Sequence, residues 1–153
     1  MIRDLDTSSF NELQTICKFG EEFAKASGAG DFDGLSLLKS IHDILAAKRG
    51  KVFILEIDKQ VAGVVGVTAF PCYFNRKNLR VQEIFWWVDP AYRNTKGSLQ
   101  LFNKVEKWAK EIGANQVMVS AMANLEPDRL DRIYTKKGFR KMDINYVKDL
   151  KNA

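Results

Sequence analysis

The residues able to do chemistry concentrate between positions 81 and 102, VQEIFWWVDPAYRNTKGSLQLF. One acid, Glu83, interrupts an apolar run. An unpaired carboxylate in such surroundings is costly, and burial raises its pKa toward values useful to a general base. Beyond an Asp89-Pro90 turn stand Arg93, Lys96, Gly97 and Ser98, immediately before an amphipathic pattern. A strand that enters a helix through a cationic, backbone-rich turn suits an anion, because the first helical N–H groups lack internal partners. Carboxylate and cradle together point to a phosphate-bearing ligand held beside a base. On the residues alone, Glu83 is also open to a structural ion pair with Arg80 or Arg140, and the turn to being a solvated loop.

Positioning these groups requires a sheet and helices, and the periodicities supply both. Residues 2–5 predict an opening strand, followed by N-cap hydroxyls among Thr7, Ser8 and Ser9. Phe10, Leu13, Ile16, Cys17, Phe23 and Ala24 recur at helical spacing, and Ser27-Gly28-Ala29-Gly30 ends that helix. Leu35, Leu38, Ile41, His42 and Leu45 predict a second helix stopped by Gly50. Residues 52–57 and 61–70 read as a hairpin, in which Gly63 and Gly66 weaken the strand unless something approaches closely. Next come a strand at 79–88, a third helix at 98–112 and a strand at 116–122 covered on both faces. A fourth helix opens on Pro127 and stops at Gly138, and 139–150 predicts one or two closing strands. The order is β-α-α-β-β-β-α-β-α-β, a single mixed α/β domain over 1–153, with strands 79–88 and 116–122 parallel across a βαβ crossover.

Composition narrows the class. The hydrophobic share of 46% and charged share of 28% are those of an ordinary globule, and no apolar run reaches the roughly 20 residues of a membrane span. The polar start MIRDLDTSSF is unlike a signal peptide. Cys17 and Cys72 cannot form a disulfide framework, and with His42 alone no zinc site is expected, so a reduced, cytoplasmic setting fits. The net charge of +5 suits an anionic ligand without arguing for nucleic acid. The basic cluster Arg129, Arg132, Lys136, Lys137, Arg140 and Lys141 lacks the interleaved aromatics of a strand-binding surface.

Over nearly its whole length the chain resembles the GCN5-related N-acetyltransferase (GNAT) superfamily, in the manner of its short bacterial and bacteriophage members. The likeness is carried by EIFWWVDPAYRNTKGSLQLF and by RLDRIYTKKGF, residues 129–139. Arg93 matches the first position of the family's cofactor motif, while Lys96 and Ser98 stand where its small residues are expected. The resemblance implies acetyl-CoA as cofactor. It implies pyrophosphate contacts from Arg93, Asn94, Thr95, Lys96, Gly97 and Ser98, and pantetheine pairing with the backbone of Trp86, Trp87 and Val88. From Val88 back to Glu83 is roughly 17 Å along a strand, comparable to an extended pantetheine arm. Glu83 falls on the family's acidic strand position, implying the general base. Tyr134, in Tyr134-x-x-x-Gly138-Phe139, matches the general acid, and Asn124 resembles a cofactor-contacting asparagine. The implied reaction is direct acetyl transfer to a primary amine whose identity stays open, entering beside 27–36 and 71–78, where Asp31 and Asp33 are open to two readings, attracting a cation or belonging to a solvated polar loop. A homodimer through the Trp-rich or closing strand stays open. The departure at Lys96 and Ser98 leaves a second reading, a binding or structural protein on the same fold that has lost turnover.

Overall fold

The computed structural model describes residues 1–151. Its elements are β1 (Ile2–Asp4), α1 (Phe10–Ser27), α2 (Gly34–Ala46), β2 (Gly50–Ile57), β3 (Gln60–Cys72), β4 (Asn75–Val88), α3 (Lys96–Glu111), β5 (Gln116–Met118) and α4 (Pro127–Lys136), with a 3-10 turn at Pro90–Tyr92. They group into two compact units, Met1–Ser120 and a second from Ala121 onward.

Local chemistry sets the helix ends. Ser9 accepts the Glu12 N–H at the start of α1, and Asp33 accepts the Ser36 N–H at the start of α2. Gly28, at φ 66°, closes α1 in the left-handed region. The β2–β3 hairpin turns through Asp58 and Lys59, both at positive φ, which matches the twist of a tight two-residue connection.

The first unit is built on a sheet of order β1-β2-β3-β4-β5. Its first three junctions are antiparallel, while β4 and β5 run parallel with Arg80 opposite Gln116. This is the mixed α/β class the periodicities predict. Along β2 the pleat sends Phe53 and Leu55 to one face, where they meet Leu101, Val105 and Trp108 of α3. Val52 and Ile54 point to the other face, against Ile16 and Phe19 of α1 and Ile41 of α2. Burial on both faces explains the continuous apolar run 52–55, and each such side chain contributes about 1.5–3 kcal/mol. No helix among the described residues is long and apolar enough to cross a membrane.

Three expectations need correction. First, α2 ends at Ala46, and Gly50 opens β2 instead of stopping the helix. A methyl added at Gly50 would collide with the Ile44 side chain and lie 2.8 and 2.9 Å from the carbonyl oxygens of Ile44 and Val67. Gly50→Ala is therefore expected to cost about 2 kcal/mol, lowering the melting temperature by roughly 6 °C in a thermal melt. Second, β5 stops at Met118 instead of running to Met122. Third, no strand forms over 139–150 among the described residues, so the order ends on α4. Ile144 and Tyr146 carry the alternation of a strand but are exposed, with no neighbouring strand to hold them.

In the second unit, Gly138 (φ 86°) ends the turn after α4, and the Phe139 N–H donates to the Tyr134 carbonyl oxygen at 3.0 Å.

Candidate active site

β5 accompanies β4 only from Arg80 to Gln82. From Glu83 to Val88, the edge of β4 on that side has no strand partner among the described residues. Glu83 therefore stands where the two strands part. A register shift puts Phe85 opposite Gly66 and Glu83 opposite Val67, which makes Ile84 the extra residue of a bulge. Gly66 is required there, because an added methyl would enter the Phe85 ring. The close approach expected at Gly66 is thus the Phe85 ring.

The Ser120 N–H, just past β5, donates to Glu83 Oε2 at 3.0 Å. Burial pushes the Glu83 pKa from 4.5 up to about 7, against the lowering effect of that hydrogen bond. Glu83 makes no ion pair among the described residues, and the Arg80 Nε donates instead to Gln116 Oε1 at 2.8 Å. A carboxyl that titrates near neutrality without a charged partner is poised to exchange a proton.

The turn after β4 is rigidly built. Asp89 accepts the Ala91 N–H at 2.9 Å, and the Arg93 Nε donates to the Val88 carbonyl oxygen at 2.9 Å. The Arg93 guanidinium lies 4.3 Å from the centroid of the Trp87 ring, so Arg93 braces the turn against the strand. Thr95, at the N-cap of α3, makes no side-chain cap bond, since its hydroxyl donates to the Tyr92 carbonyl at 2.7 Å. The Ser98 hydroxyl donates to the Arg93 and Thr95 carbonyls at 3.2 and 3.1 Å. Neither hydroxyl therefore satisfies the N-terminal amides of α3. Its first turn holds no acid, while Lys96 is exposed without an ion pair among the described residues. An uncapped helix start carrying an added cation is complementary to an anion. Gly97 is buried, and a methyl there would come within 3.0 Å of both Leu55 methyls, so this glycine seats the helix start on the sheet.

Trp86 and Trp87 point to opposite faces of β4. Trp86 packs at a tilt against Phe102, ring centroids 5.6 Å apart, and Trp87 meets Phe23 edge-on at 6.0 Å. These residues, with Val88, line up as the sequence places them along the open edge. On the α1–α2 side a cavity of about 340 Å³ takes in Asp31 and Asp33 but nothing from 71–78. That stretch is instead a hairpin whose tip, Tyr73 and Phe74, is exposed. Tyr134 and Asn124 belong to the second unit: Tyr134 is buried on α4 with its ring 5.8 Å from that of Phe139, and Asn124 lies in the turn before α4. In the basic cluster, Arg129 pairs with Glu126 and Lys141 with Asp131, both at 3.3 Å. Sequence reasoning missed Ser120 and the Ile84 bulge, since neither a backbone donor nor a register shift has a residue signature.

The acetyltransferase (GNAT) family model matches residues 10–139, and the chain belongs to that family. Solved structures share the fold at low identity. A transcriptional regulator from Bacillus halodurans C-125 is 17% identical, with a TM-score of 0.79 over 98% of this chain and 99% of that one. A predicted acetyltransferase from Clostridium acetobutylicum, crystallised with acetyl-CoA, is 16% identical, with a TM-score of 0.75 over 98% and 96%. An aminoglycoside acetyltransferase from an uncultured soil metagenomic sample, in complex with sisomicin, is 16% identical, with a TM-score of 0.74 over 99% and 96%. A search of curated proteins found no match.

Proposed function

We propose that the chain is an acetyl-CoA-dependent N-acetyltransferase that moves an acetyl group directly to a primary amine. The observation that carries this reading is Glu83, a carboxyl of pKa about 7 placed where β4 and β5 part. The residues present fit the cofactor: uncapped amides of Lys96, Gly97 and Ser98 with the Lys96 ammonium for a pyrophosphate, and an open β4 edge at Trp86, Trp87 and Val88 for an amide-bearing arm. Asn94, Thr95 and Arg93 shape that turn, and Asn124 is a further cofactor contact by family pattern. Bound acetyl-CoA would supply the activated acyl thioester.

Glu83 takes the proton from the incoming ammonium, directly or through water, and the Ser120 N–H holds its carboxylate in place. Backbone N–H groups on the open edge of β4 stabilise the charge that develops on the acyl oxygen. By its match to the family motif, Tyr134 would be the acid that protonates the departing thiolate. We place the protein in the cytoplasm, where its free thiols Cys17 and Cys72 are stable.

A thermal-shift titration with acetyl-CoA, followed by assay of thiol release with an amine panel, tests the reading. Stabilisation with release supports it. Stabilisation without release indicates a binding protein on the same fold, and neither response removes the cofactor. Tyr134→Phe is expected to lower kcat about 100-fold while the acetyl-CoA Kd stays within a factor of two.

A further inference from the structure

A cavity opens between α1, α2 and β4. Its volume of about 340 Å³ lies at the lower end of small-molecule clefts, about 300–1,000 Å³. Six aromatic residues line it: Phe19, Phe23, Phe32, Phe85, Trp86 and Trp87. Phe85 is two residues along β4 from Glu83, roughly 7 Å. Among the described residues the charged groups of the lining are Asp31 and Asp33, both exposed, and no Lys, Arg or His joins them.

The two acids differ. Asp33 is committed to the start of α2, where it accepts both the N–H and the hydroxyl of Ser36; those bonds hold its pKa below the usual carboxylate value, so it stays charged. Asp31 has no ion pair or hydrogen bond among the described residues, which leaves a full carboxylate beside the cavity. The indole N–H groups of Trp86 and Trp87 are buried without an acceptor among the described residues. Such donors are costly to leave unmet.

We propose that this cavity selects a monoamine carried on a single aromatic body, the ring held among the aromatic side chains on the α1–α2 face of β4 and the cation drawn in by Asp31. The inference rests on the N-acetyltransferase reading and names the acceptor class for it. An acidic ligand is repelled by both carboxylates. A long, hydrophilic polycation fits poorly because apolar walls cannot replace its lost hydration.

Isothermal titration of the full chain without acetyl-CoA tests this independently of transfer. 2-Phenylethylamine is expected to bind at least 10-fold more tightly than spermidine or phenylacetate. Asp31→Asn, at an exposed position that leaves folding intact, is expected to weaken it about 5-fold, and Phe32→Ala, checked for an unchanged fold by circular dichroism, about 10-fold. Binding of 2-phenylethylamine without thiol release on adding acetyl-CoA upholds the cavity and overturns the transferase reading. Acetylation of spermidine by a chain that does not bind 2-phenylethylamine overturns the inference and keeps that reading. Equal affinities for the three probes, or an Asp31→Asn variant that binds 2-phenylethylamine unchanged, also overturn it.

Discussion

Replacing Glu83 by glutamine is expected to lower kcat/KM by about 100- to 10,000-fold and, in the same protein, to raise the melting temperature at pH 8. The two effects share one cause. In the folded chain burial holds the carboxyl near 7, whereas in the unfolded chain it titrates near 4.5. Between those values the folded state binds more protons than the unfolded one, so stability falls as pH rises through the window and is lowest above about 7. A shift of that size corresponds to about 3 kcal/mol, or roughly 5–10 °C for a chain of this length. Glutamine keeps an acceptor oxygen for the Ser120 N–H and carries no charge, so it removes the penalty without orphaning the donor. Below about pH 4 the carboxyl is neutral in both states and the two proteins should melt together. Transfer by the wild-type chain should climb with pH up to about 7 and then level, as a base that must be ionised requires. A glutamine variant that melts lower at pH 8 would mean the carboxylate is held by favourable partners, and the base assignment would fail.

How far the residues announce this arrangement depends on whether each feature is local. The helix start at Ser9 and the Gly28 stop are settled by neighbours within four positions, and the sequence locates each to within a residue or two. The strand–turn–helix from Glu83 to Phe102 is legible for the same reason, as is the need for something to approach Gly66 closely. The extent of β5 is not. Val117 to Met122 is apolar but for Ser120, yet pairing ends at Met118, and the Ser120 N–H goes to a side chain 37 residues earlier in the chain. The Ile84 bulge belongs to the β3–β4 pair rather than to either strand, so no single run of residues encodes it. Residues 139–150 show the converse, a strand pattern that pairs with no strand among the described residues. Gly50 was legible as a special position but not as a special packing contact, because Ile44 and Val67 reach it only in the fold.

Charge reversal at the start of α3 separates a cofactor cradle from an ordinary helix end, because the two predict opposite signs. For the protein alone, Lys96 is misplaced: it adds positive charge to a helix start that already bears the positive end of the dipole and holds no acid. Lys96→Glu should therefore stabilise the ligand-free chain by about 1 kcal/mol, seen as a rise of roughly 2–4 °C. If the uncapped amides of Lys96, Gly97 and Ser98 receive a pyrophosphate, the same change places a carboxylate against it and removes a charge-assisted contact. Acetyl-CoA should then bind about 10- to 100-fold more weakly. Raising the ionic strength should narrow that gap, since Lys96 is exposed and its field is screened within about 10 Å at 0.1 M salt. Lys96→Gln should fall between on both scales. A variant more stable and no weaker in acetyl-CoA binding would show that the helix start is ordinary surface, and that the nucleotide, if held at all, is held elsewhere. A cation set against its own helix dipole costs the free chain stability, and a bound anion would offset that cost.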